Sequence, residues 1–199
     1  MSENVVIVNT HPAENPEFVG KLVDFLALSG IEPEVIEGYD DVKPLDRSPS
    51  HIILSGVPMS ANYSLAETDT QRRVERAFGW LRECKCPVLG ICYGHQILAQ
   101  IFGGEVSSLE VMVNDEIFPL VWEADEQSGI FSEVEKLEVF AEHKEYVSGI
   151  PEGFKVLCQI DEVPYIIYHP EREMYGMQFV PEQSDEKTKE LLKRFVGAW

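Results

Sequence analysis

Residues 87–100 read Pro87-Val88-Leu89-Gly90-Ile91-Cys92-Tyr93-Gly94-His95-Gln96-Ile97-Leu98-Ala99-Gln100. An apolar run here ends in a Gly-x-Cys-x-Gly turn, and a helical pattern follows at once. This arrangement predicts a nucleophile elbow, a sharp strand-to-helix turn that lifts a reactive side chain above the edge of a sheet. Gly90 and Gly94 allow the chain to turn tightly and let the helix start close to the strand.

Cys92 occupies the nucleophile position of this turn. The N-terminus of a helix stabilises a thiolate, so the pattern predicts a lowered pKa for the Cys92 thiol. The backbone N–H of Tyr93 is expected to point toward an oxyanion that forms on an attacked carbonyl. A lone cysteine at the end of a buried strand is more often a packing residue. The flanking glycines, the strand before the turn and the helix after it favour the nucleophile interpretation here.

The composition indicates a single globular domain over residues 1–199. Of the 199 residues 44% are hydrophobic, which is enough for a sizeable core. A formal net charge of −19 argues against nucleic acid as a partner, because phosphate binding needs a basic surface. The chain shows no apolar run of membrane-spanning length and no secretory leader, so we expect no membrane partner and a cytoplasmic location.

Four cysteines are present, and in a cytoplasmic setting they are expected to be reduced thiols. The Cys84-x-Cys86 pair lacks a second cysteine or histidine pair at ligand spacing, which argues against a metal site. We interpret Cys84, Cys86 and Cys158 as packing or loop thiols.

The first half of the chain alternates between strand and helix patterns. Predicted strands cover residues 4–9, 31–36, 51–54 and 87–91, and predicted helices cover residues 16–28, 67–82 and 93–102. This alternation predicts a parallel sheet covered by helices on both faces. Ligands of such sheets bind at the carboxyl ends of the strands, where both Cys92 and the loop of residues 55–58 are expected.

The second half is mostly β in character. Strands are predicted over residues 105–121, 137–141 and 154–160, followed by a hairpin of residues 164–169 and 174–180 and a last helix over residues 184–196. The whole pattern predicts a three-layer α/β fold with a mostly parallel central sheet, helices on both faces and an antiparallel extension.

Three motifs resemble the class I glutamine amidotransferase family, whose fold is flavodoxin-like, and together they span nearly the whole chain. Residues 87–96 resemble the nucleophile elbow of that family. The other two motifs resemble its oxyanion loop and its C-terminal catalytic segment: Leu54-Ser55-Gly56-Val57-Pro58-Met59-Ser60 and Tyr175-Gly176-Met177-Gln178-Phe179-Val180-Pro181-Glu182. Within the family, residues 90–96 and 140–147 are most similar to the glutaminase (amidotransferase) component of GMP synthase, which serves purine biosynthesis.

The resemblance implies a glutaminase mechanism centred on Cys92. This residue would attack the side-chain amide of glutamine and leave a glutamyl thioester, while Gln96 holds the substrate. A histidine two residues before Glu182 would act as general base and acid, oriented by that glutamate. The ammonia would pass through a channel to an ATP-dependent synthase subunit. The resemblance implies no cofactor and no metal.

The sequence departs from the family pattern at three places. Val180 stands at the position of the general-base histidine, and valine neither accepts nor donates a proton. In the oxyanion loop, where the backbone of Gly56 and Val57 would assist Tyr93, the family usually has glycine at the second of these positions. At residues 141–145 the synthase-type family usually shows Ser-His-Gly-Asp, of which only His143 is matched, and we retain it as a candidate substrate-binding residue. These departures predict a compromised triad.

Two histidines are the candidates for a substitute base. His143 belongs to a loop that lies near the site in the family, and His11 follows the first strand at the correct edge of the sheet. His169 is expected at the turn of the hairpin, His51 at the opposite edge, and His95 in a structural position on the helix. A structural or surface role remains open for all five.

The leading function is therefore a glutamine amidotransferase-type protein with a compromised triad. The alternative is a catalytically inactive homologue, a pseudoenzyme, that binds glutamine or a related small molecule or docks on a synthase subunit. A third interpretation is another cysteine chemistry of the same fold, such as γ-glutamyl peptide cleavage or a redox-sensitive thiol at Cys92.

Overall fold

The computed structural model describes residues 4–11, 16–39, 44–56, 64–123 and 125–197. Nine strands are found in these residues: β1 Val5–Asn9, β2 Glu34–Glu37, β3 His51–Leu54, β4 Val88–Ile91, β5 Glu105–Val121, β6 Lys136–Gly149, β7 Lys155–Ile160, β8 Val163–His169 and β9 Met174–Met177. The same residues contain four α-helices: α1 Pro16–Leu28, α2 Thr68–Phe78, α3 Tyr93–Ile101 and α4 Glu186–Phe195. None of these helices is long and apolar enough to cross a membrane.

Seven strands form one sheet in the order β2-β1-β3-β4-β9-β8-β7, and β5 and β6 form a separate antiparallel ribbon. Neighbours from β2 to β9 are parallel, whereas β8 and β7 continue the sheet antiparallel. The pairing of Ile91 with Met177 and of Val8 with Leu54 aligns the carboxyl ends of β1, β3, β4 and β9 at one edge. This topology confirms the predicted α/β fold with an antiparallel extension.

The two faces of the sheet are covered by different helices because successive strand residues point to opposite sides. Ile7, Ile53 and Leu89 face a core shared with α1 and α4. Ile52 and Val88 face a second core shared with α2 and α3. All five side chains are buried, and each contributes about 1.5–3 kcal/mol relative to remaining exposed. This packing holds the carboxyl edge of the sheet rigid.

The ribbon reaches the carboxyl edge from outside the sheet. Its strands pair Leu120 with Leu137 and Val113 with His143, with register shifts between them. The sequence predicts β6 only over residues 137–141, but the strand continues to Gly149. The longer strand arises because β5 supplies backbone partners for the polar residues that follow Ala141. It carries residues 142–145 across the end of β4.

Three boundaries differ from the sequence prediction. The second strand begins at Glu34 rather than at residue 31, since Pro33 has no N–H to donate to a ladder. Helix α2 ends at Phe78, and residues 79–83 form a 3-10 helix that buries Trp80 and Leu81. The second strand of the predicted hairpin ends at Met177 rather than at residue 180, and the N–H of Val180 donates instead to the carbonyl of Phe140 at 2.9 Å.

Candidate active site

The turn between β4 and α3 holds Cys92 in a rare backbone conformation. Its φ of 49° and ψ of −104° lie in a region that L-residues seldom adopt. The N–H of Cys92 donates to the carbonyl of Met177 at 2.7 Å, which anchors the turn to β9. Strain of this kind persists only where the surrounding structure fixes it, and it concentrates at functional sites. The strand, the turn and the helix of the predicted elbow are all present.

Close backbone approach explains the two glycines of the elbow. A Cβ atom at Gly94 would lie 2.4 Å from the carbonyl oxygen of Leu54, and one at Gly90 would lie 2.5 Å from the carbonyl oxygen of Gly94. The helix therefore starts against β3, where the Gly94 N–H donates to the carbonyl of Ser55 at 3.2 Å. The next residue of that loop, Gly56, approaches so closely that an added Cβ would lie 3.4 Å from the Cys92 Cβ.

The oxyanion loop is described only at its start. Ser55 is fixed by Thr10, whose N–H donates to the Ser55 hydroxyl at 3.1 Å and whose hydroxyl donates to the Ser55 carbonyl at 2.8 Å. Gly56 follows, while Val57 and the remaining loop residues to position 63 lie outside the described residues. The role of the Val57 backbone stays a prediction.

A buried chain of amide groups surrounds the sulfur. Gln178 Nε2 donates to Cys92 Sγ at 3.8 Å, and Gln178 Oε1 accepts from Gln96 Nε2 at 3.2 Å. The second hydrogen of Gln96 Nε2 points to the Glu145 carbonyl oxygen at 2.7 Å. The Cys92 thiol lies 3.9 Å from the Glu142 carbonyl oxygen, which is its acceptor. The site therefore joins Cys92 and Gln96, as the sequence predicts, through a residue that the sequence analysis does not select.

Gln178 is that missed residue. It is fully buried, and it lies in a run from Met174 to Phe179 in which every residue is buried. A polar amide inside such a run needs hydrogen-bond partners, because an unpaired buried amide is costly. This mismatch between residue type and the apolar run is the signal in the sequence that points to Gln178.

The predicted lowering of the Cys92 pKa is wrong. Burial, together with the nearby carboxylates of Glu142 and Glu182, raises the pKa of this thiol to about 12. The Tyr93 N–H and the Gln178 amide oppose this rise by hydrogen bonding to the sulfur, but they do not outweigh burial. At pH 7 the sulfur is therefore held as a neutral thiol.

Val180 and Glu182 lie where the chain leaves β9. Val180 precedes a short 3-10 turn over Pro181–Gln183 and is half-buried. Glu182 Oε2 is buried and has no hydrogen-bond partner among the described residues. Burial raises the pKa of the Glu182 carboxyl to about 7, against the opposing effects of a hydrogen bond with the Glu182 backbone and of the Lys21 cation. An apolar side chain thus stands two residues before a carboxylate whose Oε2 has no hydrogen-bond partner among the described residues.

His143 lies close to the site but its ring serves other groups. Nδ1 lies 3.1 Å from the Glu145 carbonyl oxygen, and Nε2 lies 3.3 Å from the Tyr165 hydroxyl. Burial lowers the pKa of His143 to about 4, so the ring is neutral at pH 7. Both ring nitrogens are therefore directed to Glu145 and Tyr165. This geometry argues against His143 as the substitute base.

The other four histidines occupy separate places. The backbone N–H of His11 donates to Asn9 Oδ1 at 3.1 Å. Burial lowers the pKa of the His11 imidazole against the opposing effect of Glu37. His51 packs on Phe195 at the start of β3, and His169 pairs with Met174 at the start of β9, both away from the carboxyl edge. His95 is fully buried against Gly176, where an added Cβ would lie 2.3 Å from its Nδ1.

No group of three or more His, Cys, Asp or Glu side chains in the described residues is arranged to hold a metal ion.

Comparison with known proteins places these features in context. The family model described as glutamine amidotransferase class-I matches residues 16–199. A glutamine-hydrolyzing GMP synthase subunit of Pyrococcus abyssi is 32% identical over 195 residues, covering 90% of this chain and 92% of that protein. The glutamine-hydrolyzing GMP synthase of Borreliella burgdorferi is 35% identical over 172 residues, covering 84% of this chain but 31% of the longer relative.

Solved structures share the fold. A Thermoplasma acidophilum protein described as a GMP synthase subunit superposes with a TM-score of 0.79 at 19% identity, covering 100% of this chain and 94% of the other. At this identity the likeness concerns the arrangement of strands and helices rather than the chemistry.

Proposed function

We propose, because this chain belongs to the class I glutamine amidotransferase family, that it is a GMP synthase-like glutaminase protein with a compromised triad. Cys92 would be the nucleophile, Gln96 the substrate-binding amide and Glu182 the remaining acid of the triad. The substrate would be glutamine, and the product ammonia would pass to an ATP-dependent synthase subunit. The Pyrococcus relative is described as one subunit of its synthase, which supports a separate synthase partner.

The observation that carries the proposal is that Val180 stands two residues before Glu182, whose buried Oε2 has no hydrogen-bond partner among the described residues. A triad needs a group that takes the thiol proton and later delivers it to the leaving ammonia. Valine has no such group, and the pKa of Cys92 near 12 leaves the thiol protonated. General acid–base assistance contributes about 10²–10⁴-fold, so we expect glutamine hydrolysis slower by about that factor.

The remaining geometry supports glutamine as the ligand. Sulfur attack on the amide carbon would place the oxyanion near the Tyr93 N–H, which already hydrogen-bonds to the sulfur. Gly56 lies against Cys92 and would bring the loop backbone to the same oxyanion. These two backbone segments would stabilise the tetrahedral intermediate without any histidine, whereas departure of ammonia would still lack an acid.

A catalytically inactive homologue is the second candidate. The enclosure of the Cys92 sulfur by Gln178 and Glu142 favours it, because a buried neutral thiol is a poor nucleophile. In this case the site would bind glutamine or a related molecule without turnover, and the protein would regulate or dock on a synthase subunit.

Ammonia release from glutamine by the natural protein and by Val180→His, each with and without a synthase subunit, tests both candidates. Val180→Leu is the matched control for a change in volume. We expect slow release by the natural protein, about 10²–10⁴-fold faster release by Val180→His, and loss of both in Cys92→Ala.

Equal and rapid release by the natural protein and Val180→His would overturn the compromised triad. Glutamine binding without release from either protein would favour the inactive homologue. If both proteins fail to bind glutamine and fail to release ammonia, the proposed glutamine site is rejected.

A further inference from the structure

Two cysteines outside the Cys92 site contact each other at the opposite edge of the sheet. Cys84 and Cys86 lie in the loop between the 3-10 helix of residues 79–83 and β4. Their sulfur atoms are 3.3 Å apart, and Cys84 Sγ lies 3.5 Å from the Cys86 carbonyl oxygen. The Cys84 N–H donates to the Leu81 carbonyl at 3.2 Å, which fixes the start of the loop. The two thiols are therefore in contact while both are reduced.

The surroundings of the pair stabilise one thiolate. Hydrogen bonding from Cys86 lowers the pKa of Cys84 to about 7 against the opposing effect of burial, and the Arg172 cation lowers it further. The pKa of Cys86 is raised by the same contact. Within the pair the thiolate is therefore favoured on Cys84 rather than on Cys86. Arg172 is held in place by donating to the Arg82 carbonyl at 3.0 Å and by lying over the Phe102 ring at 5.3 Å.

The two sulfur atoms differ in exposure. Cys84 is buried, whereas Cys86 is half-buried and accessible from solvent. An incoming molecule therefore meets Cys86 first and leaves Cys84 behind it. This order suits a pair in which one sulfur attacks and the other resolves the product.

We propose that Cys84 and Cys86 form a dithiol–disulfide exchange site whose substrates are low-molecular-weight disulfides. The Cys84 thiolate accepts the proton of the Cys86 thiol as Cys86 Sγ attacks one sulfur of the substrate. A new S–S bond forms, the substrate S–S bond breaks, and one thiolate leaves. That thiolate takes the proton of Cys84, and Cys84 then attacks Cys86 Sγ. The second substrate thiolate leaves and is protonated by water, so the protein dithiol is oxidised by two electrons and the substrate is reduced to two thiols.

This site is independent of the glutaminase proposal. It lies before Val88, at the start of the strand whose other end precedes Cys92, and the six positions from Cys86 to Cys92 correspond to roughly 20 Å at about 3.3 Å per strand residue. The proposal differs from the sequence interpretation of Cys84 and Cys86 as packing or loop thiols. It assigns redox chemistry to this pair rather than to Cys92.

The test incubates the reduced full-length protein with oxidised glutathione at neutral pH and follows intact mass and alkylated peptides. We expect loss of two hydrogens, a cross-linked peptide that joins Cys84 to Cys86, and no retained glutathione. Free thiols at this pair should disappear at least about 100-fold faster than at Cys158, which is buried and bonded to the Val121 carbonyl.

Variants separate the two roles. Cys84→Ser is expected to retain a glutathione adduct on Cys86, because no resolving thiol remains. Cys86→Ser is expected to lose the exchange, and Cys158→Ser is the matched control that should behave like the natural protein. A natural protein that keeps both thiols reduced, or that retains glutathione on Cys86, would overturn the proposal without depending on the folding of any variant.

Discussion

Strand β4 is flanked by a cysteine-containing turn at each end, and the two turns differ in what surrounds the sulfur. Cys92 follows the strand in a strained turn at a helix N-terminus, yet burial and two carboxylates keep it a neutral thiol. Cys84 and Cys86 precede the strand in an ordinary loop, yet contact with each other and with Arg172 favours a thiolate. A local motif thus determines where a sulfur points, whereas burial and the groups that contact the sulfur determine its charge.

The largest effect expected from this comparison is the order of thiol labelling. The pKa of Cys84 is lowered to about 7 while that of Cys92 is raised to about 12, so at pH 7 a far larger fraction of Cys84 than of Cys92 is thiolate. Iodoacetamide followed by peptide mapping should therefore modify the pair well before Cys92. Modification of Cys92 first would show that its burial is relieved in solution, and the comparison would fail.

A second prediction concerns the close backbone contact that positions the Cys92 turn. Gly94→Ala places a Cβ 2.4 Å from the backbone oxygen of Leu54, so we expect a loss of about 3 kcal/mol or more in the free energy of unfolding. Gly20→Ala is the matched control, because nothing lies within 4 Å of its added Cβ in helix α1, and it should gain about 0.5–1 kcal/mol. Urea denaturation measures both. Equal effects of the two substitutions would mean that close packing does not hold the elbow.

The smallest of these effects concerns Glu182 and its pH dependence. Its carboxyl pKa of about 7 in the folded protein exceeds the ordinary value of 4.5, so the folded state holds a proton that the unfolded state releases. This stabilisation is present below about pH 4.5 and is lost as the pH rises through 7. Glu182→Gln should therefore stabilise the protein at pH 8 by up to about 3 kcal/mol and have little effect at pH 4.5.

Glu171→Gln, at an exposed position, is the control for Glu182→Gln and should change stability little at either pH. Thermal or urea unfolding at the two pH values provides the measurement. A Glu182→Gln variant that is destabilised equally at both would mean that a partner holds the ionised carboxylate in the folded protein.

Local sequence patterns predicted most of the fold. Helix α1 spans Pro16–Leu28 and β3 spans His51–Leu54, as their apolar patterns predict, and the elbow follows from two glycines within five residues. These features depend on neighbouring residues and on the period of the apolar pattern. They therefore could be predicted without knowledge of the rest of the chain.

The electrostatics of the site could not be predicted in this way. The Cys92 sulfur is surrounded by Glu142 and Gln178, which are 50 and 86 residues away in sequence. Glu142 reaches the sulfur because β6 continues beyond Ala141. The polar residues of this continuation show no apolar strand pattern in the sequence. The contact of Cys84 with Cys86 likewise depends on side-chain directions in a loop. Burial and charge are properties of packing, so a motif alone indicated the wrong direction for the Cys92 pKa.

The strand β6 also affects how any ligand would enter. Gln96 Nε2 already gives one hydrogen to the Glu145 carbonyl and the other to Gln178. Glu145 is itself bound to the neighbouring segment, where its carboxylate accepts from the Ser64 hydroxyl and from the Leu65 N–H at 3.0 Å. Both hydrogens of Gln96 Nε2 therefore already have acceptors within the protein. A ligand that accepts from Gln96 Nε2 must replace one of these hydrogen bonds and does not add a new one. Its affinity would come from contacts other than Gln96, since such an exchange is close to neutral in free energy.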